Sequence, residues 1–169
     1  MDNNRAMRIA SIAVIACALA ACAGTAPAVK SSSVAEPLPA LTLPLLGGGT
    51  WSSASANGKA LVIDVWASWC KPCGKGFPKL DALAARRADV VVVAISIDED
   101  AAAARDFIAQ FPLEIPVARD DKQSLTRPPL RIARLPTVLI VDAAGTIRHR
   151  LEEPTERDYD QLEDKIATQ

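Results

Sequence analysis

The sequence holds a single histidine, His149, and only four cysteines, Cys17, Cys22, Cys70 and Cys73. A structural zinc site needs four ligands, usually two cysteine pairs or one pair with two histidines. One close-set pair and one distant histidine do not supply them. Covalent haem requires a histidine directly after the second cysteine of a pair, and Gly74 stands there instead. The formal net charge is −1, so nothing in the overall charge points to a nucleic-acid partner. No internal repeat is visible, and no peroxidatic cysteine motif occurs outside the Cys70/Cys73 pair. Half the residues are hydrophobic and 23% are charged, a balance that suits one folded domain with a sizeable core.

The N-terminus reads differently from the rest. Arg5 and Arg8 precede an apolar run from Ile9 to Ala21, 13 residues long, followed by Cys22. A membrane-spanning helix needs ~20 apolar residues, so this run is too short to span. A basic start, a short apolar segment and small residues before a cleavage point describe a secretory signal. Leu19-Ala20-Ala21-Cys22 also resembles the lipobox of bacterial lipoproteins, in which the cysteine is lipidated and becomes the first residue. Val14-Ile15-Ala16-Cys17 fits the same loose pattern but leaves a very short apolar segment, which favours Cys22 as the lipidation site. The expected division is a signal over residues 1–21, a flexible Ala/Ser/Pro tether over 22–37, and one domain over 38–169. Export would leave Cys70 and Cys73 as the only free thiols, in a compartment where disulfides persist.

Within the domain, strand-like and helix-like patterns alternate. Leu41–Leu45 is an edge-strand candidate, with Pro44 tolerable only at an edge. Ala60–Trp66 (ALVIDVW) and Val90–Ile97 (VVVVAISI) read as strands covered on both faces. Phe77, Leu80, Leu83 and Ala84 share one helical face, with Pro78 as an expected kink. Asp98 is placed to cap a helix over 99–110. Ile115–Ala118 predicts a short strand and Ser124–Ala133 a weak helix. Thr137–Val141 and Thr146–Leu151 predict a hairpin. Thr155 and Asp158 form the start of a capping box before a helix that buries Tyr159, Leu162 and Ile166. The order is a βαβ half followed by a ββα half around a central mixed sheet.

Cys70 and Cys73 fall where the first buried strand hands over to its helix. A copper-delivery pair is conceivable, because thiolates bind soft copper, although His149 is the only imidazole. A purely structural disulfide across so short a loop adds little stability, since loop-closure gains grow with loop length. Redox exchange accounts better for the placement. Cys70, in the first turn of a helix and beside Lys71, is expected to favour the thiolate, the attacking species in disulfide exchange. Cys73, one turn deeper, is placed to attack the resulting mixed disulfide.

The stretch 62–73 (VIDVWASWCKPC) resembles the active site of the thioredoxin superfamily. Pro78 matches that family's helix-kinking proline, and Leu135-Pro136-Thr137 resembles its cis-proline loop. The opening strand and turn (Leu41–Trp51), VVVVAISID and PTVLIVDAAGTI are similar to the exported TlpA/ResA-like branch. The similarity covers residues 38–169. It implies an α/β thioredoxin-like fold, a central mixed sheet flanked by helices, with an N-terminal β extension. By the same resemblance Cys70 is the nucleophile and Cys73 the resolving thiol of a redox disulfide. Asp64 is the proton acceptor for Cys73. Pro136, in cis, faces the cysteines and presents backbone groups to substrate. Trp69, Lys71, Pro72, Leu135 and Thr137 support the site. Many exported relatives carry a glutamate three residues after the second cysteine, where this chain has Gly76.

The resemblance further implies a monomeric, lipid-anchored enzyme of a bacterial cell envelope, facing the periplasm, with no cofactor and no metal. It would reduce disulfides of exported proteins such as apocytochrome c, drawing electrons from a membrane thiol reductant. Pro72 is shared with reducing members, whereas oxidising members often carry histidine there. Lys71, Arg131 and Arg134 oppose that direction if they crowd the site and stabilise a thiolate. A copper-binding delivery module and a disulfide oxidase or isomerase are the alternatives.

Overall fold

The computed structural model describes residues 30–168. The signal reading of residues 1–21, the lipidation site Cys22 and its rival Cys17 lie outside the described residues.

The centre is strand β4 (Ala60–Trp66), whose residues from Leu61 onward are all buried. It pairs in parallel with β5 (Val90–Ser96), and β5 pairs in parallel with β6 (Val117–Arg119). On its other side β4 runs antiparallel to β7 (Thr137–Val141), which forms a hairpin with β8 (Thr146–Glu152). A further strand, β1 (Lys30–Pro37), closes that edge against β8 and gives the order β1-β8-β7-β4-β5-β6. Residues 30–37 are therefore part of the sheet, a correction to the reading of 22–37 as a tether throughout. The polar stretch KSSSVAEP has no strong hydrophobic alternation to announce a strand. It is recruited by the unpaired edge of β8, and Glu36 completes the contact with an ion pair to Arg150 at 2.8 Å.

A separate hairpin of β2 (Thr42–Pro44) and β3 (Thr50–Ser52) forms the expected β extension. It is tied to the far edge of the main sheet by a bridge from Leu45 to Ala118.

Alternation along β4 divides the core. Val62 and Trp66 face α1 (Phe77–Arg86), α2 (Ala101–Ile108), α3 (Glu156–Asp160) and α4 (Leu162–Ala167). Leu61, Ile63 and Val65 face the β2–β3 hairpin and the loop carrying Leu125, Leu130 and Ile132. Each such side chain, fully buried, contributes ~1.5–3 kcal/mol, so the two-faced burial of β4 fixes its register and hence the place where it ends.

Three local expectations change. Asp100, not Asp98, caps α2, its Oδ1 accepting from the Ala102 N–H at 2.8 Å. Residues 124–133 form a loop instead of a weak helix, with the Pro128–Pro129 bond cis and Asp120 accepting from Ser124 and from the Leu125 N–H. Pro78 does not kink a continuous helix. Residues Lys71–Lys75 form a 3-10 turn, and Pro78 lies in the first turn of α1, where its missing N–H costs nothing.

Candidate active site

The site is built where β4 ends. Trp66 is its last residue, and the chain turns through Ala67, Ser68 and Trp69 to Cys70, which precedes the 3-10 turn. This connection is held by Asp98, a buried carboxylate just beyond the end of β5. Its Oδ2 accepts from the Ser68 N–H at 2.9 Å and from the Ser96 hydroxyl at 2.7 Å, while Oδ1 accepts from the Ser68 hydroxyl at 2.7 Å. Asp98 thus anchors the loop two residues before the first cysteine. Sequence reasoning gave it to a helix cap, and no spacing rule would have pointed to Ser68, 30 residues away.

Cys70 and Cys73 are joined as a disulfide, with their Cα atoms 5.5 Å apart. Cys70 is 6% exposed and Cys73 fully buried, so an incoming sulfur can reach only the first. Trp69, 68% exposed, and Pro72 project beside Cys70. Together with Lys71, Ala133, Arg134, Leu135 and Glu153 they line an open groove of about 720 Å³.

The Leu135–Pro136 bond is cis. Pro136 is buried, does not line the groove, and its carbonyl accepts from the Glu153 N–H at 2.8 Å. The Thr137 hydroxyl donates to the Arg134 carbonyl at 2.7 Å. The Pro136 carbonyl is therefore already engaged, and Leu135, just before the proline, is the residue of this loop's Leu-Pro-Thr motif that lines the groove. Among the basic residues, Lys71 and Arg134 reach the groove and Arg131 does not. Arg134 is paired with Glu153 at 2.9 Å and Glu152 at 3.6 Å. Arg134 is thus neutralised, while Lys71 stands exposed beside Cys70.

Asp64 shares the helical face of β4 with Val62 and Trp66, the face that also buries Cys73. It is fully buried. Its Oδ1 accepts a hydrogen bond from the Tyr159 hydroxyl at 3.0 Å, and Oδ2 has no hydrogen-bond partner. Burial raises its pKa to about 7, against the opposing effect of the Tyr159 bond. The Tyr159 hydroxyl is pushed well above its ordinary value by burial and by Asp64, so it remains a neutral donor. Tyr159 was legible only as an apolar-face residue. Being the chain's sole tyrosine on a buried helical face was the one available signal.

The site is packed from below by aromatics. Trp66 stacks on Phe107 at 5.3 Å and meets Phe77 edge-on at 5.5 Å, and Phe111 meets Phe77 edge-on at 5.1 Å. A Cβ at Gly74 would stand 2.3 Å from the Phe111 ring, and one at Gly76 would stand 2.2 Å from the Tyr159 ring. Both glycines let the turn lie directly on aromatic faces. His149 lies on β8 opposite Ile140, which is itself opposite Val62, far from the cysteine end of β4.

Comparison with known proteins agrees with this geometry. The redoxin family profile matches residues 33–166. The thiol:disulfide interchange protein DsbE of Pseudomonas fluorescens biotype C is 33% identical over 125 residues, 72% of this chain and 68% of that protein. The thiol-disulfide oxidoreductase ResA of Bacillus thuringiensis subsp. konkukian is 29% identical over 112 residues, 65% of this chain and 63% of that protein. That match spans less than two thirds of the Bacillus relative. A crystal structure described as a DsbE-type thiol:disulfide interchange protein from Chlorobium tepidum superposes with a TM-score of 0.73 at 29% identity, covering 79% of this chain and 95% of that one. A secreted Mycobacterium tuberculosis disulfide oxidoreductase gives 0.65 at 25% identity, covering 76% and 96%. The chain belongs to the redoxin family and has the thioredoxin-like fold of the thiol–disulfide oxidoreductases, with Cys70 and Cys73 as its dithiol pair.

Proposed function

We propose that this chain reduces disulfides of exported proteins in a bacterial cell envelope, with cysteines awaiting haem attachment in apocytochrome c as a representative substrate. The observation that carries the reading is the division of labour at β4's end. One cysteine borders the open groove beside an exposed tryptophan, while the second is fully buried on the same face as a carboxyl with one unpartnered oxygen and a pKa of about 7.

The reaction follows from that division. The Cys70 thiolate attacks one sulfur of the substrate disulfide, the substrate S–S bond breaks, and the departing sulfur takes up a proton. Leu135 and Trp69 hold the bound segment in the groove. Cys73 then gives its proton to Asp64 and attacks Cys70 Sγ. The Cys70–substrate bond breaks, the second substrate sulfur leaves as a thiolate that takes up a proton from water, Asp64 gives its own proton back to water, and the Cys70–Cys73 disulfide remains. Two electrons have passed to the substrate. A membrane dithiol must return two electrons for the next turnover. A base with a pKa near the working pH suits the second step, since it is partly unprotonated yet still accepts a proton readily.

The reducing direction is supported by Pro72 in place of histidine and by the pairing of Arg134 with two glutamates. Localisation follows from the N-terminal residues: lipidation at Cys22 would hold the domain at the membrane, facing the periplasm, as a monomer. The trapping experiment tests the order of attack. Cys73→Ala should accumulate substrate on Cys70 as mixed disulfides in envelope extracts, and Cys70→Ala should accumulate none. Equal trapping by both variants would remove the assignment. One-to-one retention of Cu(I) by the native pair, with no trapping, would favour copper delivery instead.

A further inference from the structure

Tyr159 enters the site from the far end of the chain, 95 residues after Asp64. Its place is defined by several independent contacts. Thr155 and Asp158 close a capping box at the start of α3, Lys79 of α1 pairs with Asp160, and Arg86 of α1 pairs with Glu163 of α4 at 2.7 Å. These contacts lay α3 against the beginning of α1, and the Tyr159 ring fills the space that any side chain at Gly76 would take. A phenylalanine would fill the same space. What the hydroxyl adds is a donor aimed at Oδ1 of a carboxylate with no other hydrogen-bond partner.

We propose that Tyr159 is a positioning residue of the dithiol site: its hydroxyl fixes Asp64 through Oδ1 and leaves Oδ2 as the oxygen that exchanges a proton with Cys73, and Gly76 is the space that admits it. The proposal rests on the role of Asp64 given above. A hydrogen bond to the charged form of a carboxylate favours that form, so Tyr159 holds Asp64 below the pKa that burial alone would impose. The groups facing Asp64 are few. The register sets Ala94 of β5 and Val138 of β7 beside Asp64, α3 contributes Tyr159, and Cys73, Phe77, Leu80 and Ile140 lie in the same buried cluster. Lys79, Asp160, Arg86 and Glu163 pair with one another at the exposed surface, and Asp158 is held in the capping box.

The test uses the full chain in two redox states, with Cys17→Ser and Cys22→Ser so that Ellman's reagent meets only the Cys70/Cys73 pair. In the reduced protein, thionitrobenzoate release from Ellman's reagent separates attack by Cys70 from resolution by Cys73. Tyr159→Phe should leave the first phase unchanged and move the pH midpoint of the second upward by about one unit, making it about tenfold slower below that midpoint. Gly76→Ala, which displaces the ring, should move the midpoint the same way. In the oxidised protein Cys70 and Cys73 do not titrate, and Tyr159 is the chain's only tyrosine. Fluorotyrosine incorporated throughout the protein therefore reports one site, and its fluorine resonance should titrate with a midpoint near 7 in the native chain and not in Asp64→Asn. This signal does not depend on the Tyr159→Phe variant folding. An unshifted second-phase midpoint in folded Tyr159→Phe, or a fluorine resonance blind to Asp64, would overturn the positioning role while leaving Asp64 as the base. A native second phase in Asp64→Asn would instead overturn the role of Asp64, and this proposal with it.

Discussion

Asp64 carries two opposite consequences of burial. Kept out of water, its carboxyl has a folded-state pKa of about 7 against an unfolded value near 3.8. The neutral form is favoured by folding, so this group's contribution to stability is fully present below about pH 4 and is lost as pH rises toward 7. Through that window the loss approaches 1.4 kcal/mol per pH unit at most, about the value of one bound proton. Asp64→Asn removes the titration. Urea unfolding of the oxidised protein should find the variant gaining on the native chain as pH rises from about 4.5 to 8, with no such trend if Asp64 titrates normally. The same variant should slow release of the mixed disulfide at neutral pH while leaving first attack nearly unchanged. Those two outcomes together would set stability and activity apart at this residue.

At the scale of elements, the site depends on how β4 is connected to its helix. Asp98 accepts three hydrogen bonds, two of them from Ser68. Asp98→Ala leaves the Ser68 N–H and the Ser96 hydroxyl without their acceptor, which costs about 1–3 kcal/mol for each group stranded from water. A loss of that order in urea unfolding, with slower attack by Cys70, is the expected outcome; unchanged stability and attack would mean the loop is held elsewhere. The elements legible in the sequence were those fixed by strong burial. ALVIDVW, VVVVAISI and TVLIV announce strands because both of their faces are covered, and the Thr155–Asp158 capping box marks a helix start from local chemistry alone. The misread elements were decided by long-range pairing. KSSSVAEP becomes a strand because β8 offers an open edge. Residues 124–133 become a loop because Asp120 ties Ser124 and Leu125 back toward the sheet. The site divides in the same way. Cys70, Cys73, Asp64 and Pro136 stand in local motifs that the sequence displays, whereas the hydrogen bonds of Tyr159 to Asp64 and of Ser68 to Asp98 span 95 and 30 residues.

The molecule as a whole is a redox domain whose dithiol sits at one end of a six-stranded sheet, with strand β1 at the sheet's outer edge. The proposed anchor, Cys22, precedes the start of β1 by eight residues, so a lipidated chain would keep the domain close to the membrane, where the proposed dithiol reductant would lie. Two acyl chains give stable anchoring where one is marginal. Cys22→Ser should abolish labelling by a fatty-acid probe and free the domain from membranes, and persistent labelling would point to Cys17 or another anchor. The equilibrium of the Cys70–Cys73 pair with glutathione reports the direction of electron flow. Thioredoxin stands at about −270 mV and the strong oxidant DsbA at about −120 mV, and for this two-electron couple about 30 mV corresponds to 1.4 kcal/mol. Crossing that interval takes about 7 kcal/mol, far more than a solvated Lys71 and a glutamate-paired Arg134 supply, since exposed pairs contribute at most about 1 kcal/mol. The account predicts a potential below about −200 mV; a value above about −160 mV would contradict it and make this chain an oxidase or isomerase.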